Sequence, residues 1–292
     1  MPQESAVAVN GVTLTIFEWP GAEPAILLCH ATGFHARCWD QVVAQLGDRR
    51  AIAVDMRGHG RSSKPAPPYA WKHFGQDIAG LTRELNLKGA VGVGHSMGGH
   101  SIARAAALNP HAFSRLTLID PVIRPRENYI GPWVGSGFVA KRRNQWSSPE
   151  EMYDRFRDRA PFLYWNPAVL HDYCQYGLLP MENGGFQLAC PPEIEANIYE
   201  NSTVPSSMIY DEIAAIDMPV RVVRSGKHAD KQFADSFDAS PTAKDLASHF
   251  RHGTDLELGG FSHFIPMETP ELTAQMILAC GASQGAKKNE DR

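Results

Sequence analysis

A chain of 292 residues, 43% hydrophobic and 21% charged, is long enough for one large core or a core carrying a sizeable insertion. A net charge of −4 gives no basic footprint for nucleic acid or an anionic membrane, and no apolar stretch approaches the roughly 18 residues of a membrane span. Cys29, Cys38, Cys174, Cys190 and Cys280 are odd in number and scattered without C-x-x-C spacing, which argues against a disulfide framework or a zinc site. The opening Met1-Pro2-Gln3-Glu4-Ser5 has no basic region followed by an apolar core, so the expected setting is cytoplasmic.

Val12 to Trp19 alternates apolar and polar residues after a turn at Asn10-Gly11, the pattern of a half-buried strand. Ala25 to Cys29 is a continuous apolar run, as a strand covered on both faces requires, and it empties into the loop 30–35. An amphipathic helix is expected around Trp39 to Leu46. A second buried strand follows, Ala51 to Val54, ending in Asp55-Met56-Arg57-Gly58-His59-Gly60-Arg61-Ser62. Residues 73–87 carry helical spacing. Further strands are expected at Leu116 to Ile119, Val220 to Val223 and Asp255 to Leu258, and a helix begins at Thr269-Pro270.

Between Ala90-Val91-Gly92-Val93 and the Ala-rich helix Ser101 to Leu108 stands Gly94-His95-Ser96-Met97-Gly98-Gly99. A strand entering a helix through Gly-x-Ser-x-Gly is a nucleophile elbow. The tight turn lifts the serine hydroxyl clear of the sheet, and the first helical turn aims N–H groups where negative charge will form. The α/β rhythm stops between Pro121 and about Asp217, where about half of the aromatic residues fall, a density that suits an apolar pocket lining. Ser148-Pro149-Glu150-Glu151 reads as a capped helix start. The organisation expected is an α/β core over 1–121 and 217–281, a helical cap over 122–216 and a disordered tail over 282–292. The sheet is mostly parallel, with helices on both faces and an antiparallel start.

The elbow, His30-Ala31-Thr32-Gly33, the 55–62 stretch and Gly260-Phe261-Ser262-His263-Phe264 together resemble the α/β-hydrolase fold family with a cap, in particular its small serine hydrolases: esterases, lactonases and haloperoxidase-like enzymes. The resemblance implies Ser96 as nucleophile, His263 as base and, by family position after a late strand, Asp230 as acid, with Asp120 at the end of the preceding core strand as the alternative. It also implies an oxyanion hole from the N–H groups of Met97 and Thr32, and structural roles for His30, His59, His95 and Asp55.

Phe34, Trp133, Phe138, Trp146, Phe162 and Trp165 are the candidates for substrate contact. Arg142, Arg143, Arg155, Arg157 and Arg159 read either as a solvated face or as an attractor of anions. Neither a metal nor an organic cofactor is called for, and the partner expected is a small-molecule substrate, with no nucleic acid and no membrane. The number of subunits is open, a dimer included. The reaction implied is cleavage of an ester or lactone of a small, moderately apolar molecule through an acyl-enzyme. The alternatives are C–C bond hydrolysis of a diketone and a small-molecule receptor that keeps the triad. Serine rather than aspartate at the elbow disfavours dehalogenase and epoxide-hydrolase chemistry.

Overall fold

A computed structural model describes residues 1–226 and 239–279. Its strands are β1 (Gln3–Val9), β2 (Val12–Trp19), β3 (Ala22–Cys29), β4 (Arg49–Asp55), β5 (Ala90–His95), β6 (Phe113–Ile119), β7 (Gln145–Trp146), β8 (Leu178–Pro180), β9 (Phe186–Leu188), β10 (Val220–Ser225) and β11 (Gly253–Leu258). Among the described residues, eight of these form one sheet in the order β1-β2-β4-β3-β5-β6-β10-β11. The pairs β1/β2 and β2/β4 are antiparallel and the remaining pairs parallel.

The antiparallel start therefore lies one strand earlier than the sequence pattern indicates. Ala22–Cys29 already runs parallel to its neighbours, and the extra edge strand is Gln3–Val9. That strand is exposed over most of its length, opens on three polar residues and carries only small apolar ones, so it gives little hydrophobic signal.

The helices are α1 (Asp40–Val43), α2 (Trp71–Glu84), α3 (Met97–Leu108), α4 (Pro149–Phe156), α5 (Pro167–Tyr176), α6 (Pro192–Glu200), α7 (Tyr210–Ile213), α8 (Ile265–Glu268) and α9 (Pro270–Ala279). The helix expected around Trp39 to Leu46 is a 3-10 turn, Ala36–Trp39, running into the single turn of α1. Alternate residues of the central strands feed two cores. Leu27, Cys29, Ile52 and Val54 pack with α2 and α3 on one face, whereas Ile26, Leu28, Ala51 and Ala53 pack with α1 and α9 on the other. Burial on both faces explains why these strands read as unbroken apolar runs.

Between β6 and β10 the chain leaves the sheet to form α4, α5, α6, α7, several 3-10 turns and the small sheet β7-β9-β8. Ser148 caps α4 by accepting from the Glu151 N–H at 3.2 Å, while Glu151 reaches back to the Ser147 N–H at 2.9 Å. A third cluster joins this segment to the core, with Trp146, Trp165, Leu170 and Tyr173 packed against Ala31, Phe34, Phe264 and Met267. Polar ties add to it: the Trp71 indole donates to Ile198 O at 2.8 Å, and the Asn166 N–H to Met267 O at 2.8 Å. The tail expected over 282–292 lies outside the described residues.

Candidate active site

At the end of β5 the backbone turns so sharply that Ser96 sits at φ 57°, ψ −119°, a conformation that costs a non-glycine residue about 1–3 kcal/mol. Glycine is required on both sides. A Cβ on Gly94 would fall 2.2 Å from Gly98 O, and one on Gly98 would fall 2.1 Å from Cys29 O. Close contact between helix, elbow and the neighbouring strand thus fixes the position of the Ser96 hydroxyl, and the side chain is nearly enclosed.

The His263 imidazole arrives from the loop between β11 and α8 and places Nε2 2.9 Å from Ser96 Oγ. Its Nδ1 lies 2.7 Å from Asp120 Oδ2. Asp120, at the end of β6, has no exposed surface and a left-handed φ of 43°. It also accepts from the Ser225 N–H at 3.0 Å and from the hydroxyls of Ser240 and Thr242 at 2.5 and 3.2 Å. Burial pushes its carboxyl up, but the hydrogen bond from His263, the charge of that ring and the bonds from Ser240 and Ser225 outweigh it, and the net pKa is lowered. With a carboxylate on Nδ1, that nitrogen carries the ring proton and Nε2 is left to accept from the serine hydroxyl. Hydroxyl, imidazole and buried carboxylate stand in line, the geometry for withdrawing a proton from the hydroxyl.

The preferred acid of the sequence reading, Asp230, lies outside the described residues. The carboxylate that meets His263 is that of its alternative, Asp120. Asp120 follows β6, which pairs in parallel with β10.

Three buried histidines fix the surrounding loops in a neutral state. His30 accepts from the Met56 N–H at 3.0 Å and donates to Ala31 O, and His59 accepts from the Gly33 N–H at 3.0 Å and donates to Arg57 O. His95 donates to His263 O at 2.8 Å, which anchors the backbone of the loop carrying the imidazole. Burial pushes all three down to about 3. Asp55 accepts from the N–H groups of Ala36 and Arg61 and so ties two loops together.

In the 30–34 loop, the Gly33 N–H is taken by His59 and the Phe34 N–H by Ala31 O. Among the described residues the Thr32 N–H has no acceptor, and the Met97 N–H lies in the first turn of α3, where helical partners are missing. The Thr32 hydroxyl contacts Met97 Sδ at 3.4 Å, which joins the two segments.

A cavity of about 230 Å³ lies above this loop, walled by Thr32, Phe34, Phe138, Phe156, Phe162, Trp165, Tyr173 and Phe264, with Arg142, Glu195 and Tyr199 among its polar groups. Of the aromatic candidates, Phe34, Phe138, Phe162 and Trp165 line it. Trp133 and Trp146 do not. Trp133 packs on Tyr199 and Phe138, and Trp146 is buried against Phe156 beneath the Arg143 guanidinium. Aromatic density marks the segment without indicating which rings face inward.

The arginines divide in the same way. Arg142 enters the cavity wall, Arg143 pairs with Glu151, Arg157 pairs with Asp154 and Asp158, and Arg155 and Arg159 are exposed. Glu195 is a functional candidate that the sequence reading missed. In Pro192-Glu193-Ile194-Glu195 it looks like any acid in a first helical turn, and only its buried pairing with Arg142 sets it apart.

Among the described residues no group of three or more metal-binding side chains occurs, and no helix is long and apolar enough to cross a membrane.

The chain is 40% identical over 173 residues to an epoxide hydrolase of Caballeronia sordidicola, covering 57% of this chain and 50% of that protein. It spans about half or less of the first two curated relatives it matches, the other being a 2-(acetamidomethylene)succinate hydrolase of Mesorhizobium japonicum, 36% identical over 115 residues, covering 39% of this chain and 41% of that protein. A longer match, 32% identity over 291 residues, covers 94% of this chain and 89% of an esterase of Mycobacterium tuberculosis. The solved structure of E-2-(acetamidomethylene)succinate hydrolase superposes with a TM-score of 0.74 at 23% identity, over 96% of this chain and 99% of that one. The sequence profile of the alpha/beta hydrolase family matches residues 26–276. Its eight-stranded sheet, its elbow and that profile place the chain in the alpha/beta hydrolase family.

Proposed function

We propose that the protein is a serine hydrolase that cleaves a carboxylic ester or lactone of a small, moderately apolar molecule through an acyl-enzyme. The observation that carries this reading is the continuous hydrogen-bonded line from Ser96 Oγ through His263 to Asp120 Oδ2. In the proposed reaction His263 Nε2 takes the hydroxyl proton as Ser96 Oγ attacks the carbonyl carbon. The oxyanion develops against the N–H groups of Met97 and Thr32, each such donor contributing about 3 kcal/mol to lowering the barrier. The imidazolium formed is stabilised by Asp120 and returns its proton to the leaving oxygen. Water then attacks the acyl-enzyme by the same route.

Several members of the chain's circle of relatives support a hydrolase with this scope, among them the mycobacterial esterase and a bifunctional esterase/perhydrolase of Acinetobacter calcoaceticus. Resemblance to an epoxide hydrolase does not carry over its chemistry. Epoxide opening by Ser96 would leave an ether, which water does not cleave readily, whereas the ester formed on a carboxylate does turn over.

The test is turnover of p-nitrophenyl acetate and butyrate, with a lactone and a vinylogous diketone alongside. Sustained ester turnover is expected in the native protein. Ser96→Ala should lose at least about 10³-fold in kcat while keeping its circular dichroism and melting temperature. A single burst of one product per enzyme would favour a receptor, and turnover of the diketone alone would favour C–C hydrolysis.

A further inference from the structure

The cavity wall also holds an ion pair that lies outside the line from Ser96 to Asp120. Arg142 Nη1 donates to Glu195 Oε2 at 2.5 Å, and Nη2 lies 3.4 Å from the Tyr173 hydroxyl oxygen. The two partners are unequally enclosed: the Arg142 side chain is 30% accessible and that of Glu195 only 6%. Glu195 is packed against the oxyanion loop, where a Cβ on Gly33 would fall 2.6 Å from Oε1. Behind it lies a void of about 10 Å³ among Gly33, His35, Cys190 and Glu195, room for one water at most. On that side the carboxylate has no room to withdraw. Burial opposes the Arg142 charge, yet the neighbouring Glu195 more than compensates and holds the guanidinium firmly protonated.

We infer that this pair selects the substrate: the cavity takes an acyl group that is uncharged and carries a neutral hydrogen-bond acceptor, such as a ketone or amide carbonyl, and it discriminates against acyl groups ending in a carboxylate. The inference rests on the ester-hydrolase reading for its place in catalysis. A guanidinium has five N–H donors in a fixed fork, and Glu195 and Tyr173 do not use all of them. The accessible partner thus offers directed N–H groups to the cavity, while the hidden partner cancels its charge. A carbonyl gains from such donors without an electrostatic penalty. A second carboxylate would meet Arg142 already neutralised and Glu195 close behind, with no other cation lining the cavity among the described residues. The phenylalanines Phe34, Phe138, Phe156, Phe162 and Phe264, with Trp165, supply apolar contact for the rest of the group.

The experiment compares three near-isosteric sets of p-nitrophenyl esters: 4-oxopentanoate and 5-oxohexanoate, pentanoate and hexanoate, and hydrogen succinate and hydrogen glutarate. The native protein should show kcat/KM for the oxo esters about tenfold above the plain acyl esters, and these in turn about tenfold above the carboxylates. Glu195→Gln should raise the carboxylate-to-oxo ratio by tenfold or more, and Arg142→Met should abolish the preference for oxo over plain acyl esters. If Glu195→Gln does not fold, the double replacement Arg142→Met/Glu195→Met removes the pair without leaving a lone charge and should favour the plain acyl esters.

Binding of the matching ethyl esters to Ser96→Ala, followed by tryptophan fluorescence, gives the same ranking without chemistry. A native preference for the carboxylates, or a ratio unmoved by Glu195→Gln, would overturn the inference. Selective binding without turnover of any ester would instead overturn the ester-hydrolase reading and leave this one standing.

Discussion

Asp120 receives hydrogen bonds from four residues, His263, Ser225, Ser240 and Thr242, and this crowding lets a wholly buried carboxyl remain ionised. Asparagine at this position keeps the size but presents an amide N–H or a neutral oxygen to Nδ1, so the ring can settle with its proton on the wrong nitrogen. Asp120→Asn should lower kcat about 10⁴-fold, measured on p-nitrophenyl butyrate with circular dichroism to show that the fold persists. A parallel Asp230→Asn variant should stay within about tenfold of the native rate, and the reverse outcome would reassign the acid. That Ser96 and the His263 imidazole meet was legible in the sequence because each stands in a short motif whose local turn fixes its direction. Which carboxylate stands beside Nδ1 was not. Two aspartates follow adjacent strands, and chain order alone does not say which of them turns toward the imidazole.

The same separation between local and non-local signals holds for whole elements. The buried strands β3, β4 and β5 were legible because burial on both faces writes itself as an apolar run, whereas the exposed edge strand β1 follows from its pairing with β2. The rings of the segment between β6 and β10 were recognisable as a group, but that Phe162 lines the cavity while Trp146 packs beneath Arg143 follows from contacts distant in sequence. The elbow belongs to the legible class, since its glycines are demanded by contacts to β3 and α3. Gly98→Ala forces a methyl group toward Cys29 O with no side chain able to yield. It should destabilise the protein by about 3 kcal/mol or more, read as a fall in the urea midpoint, and ester turnover should fall with it as the elbow shifts. An alanine variant with unchanged midpoint and rate would mean that the strand–helix contact is looser than the backbone indicates.

Across the whole molecule, buried neutral histidines act as shared fasteners. His30, His59 and His95 hold the loops around the triad, and His100 ties α3 to Ser207 O in the inserted segment. Burial lowers the first three to about 3 and His100 to about 4. A folded-state pKa below the unfolded value of about 6.5 means that the unfolded chain binds the extra protons, so stability is complete above that value and declines as pH falls. Each ring loses about 1.4 kcal/mol per pH unit over that range, so the four together remove about 8 kcal/mol by pH 5, comparable with the whole stability of an ordinary domain. The urea midpoint should therefore collapse between pH 6.5 and 5, before the contribution of Asp120 begins to fade near pH 4. A midpoint flat across that interval would show that these rings charge without cost.

The residues just after Asp120 are bound to the core on every side: the Val122 N–H donates to Ser96 O at 3.1 Å, the Thr242 hydroxyl to Pro121 O at 2.8 Å and the Ala243 N–H to Ile123 O at 2.9 Å. Anyone transplanting a foreign segment between β6 and β10 should thus splice after Ile123, because a join made directly behind Asp120 would cut through the brace that seats Ser96.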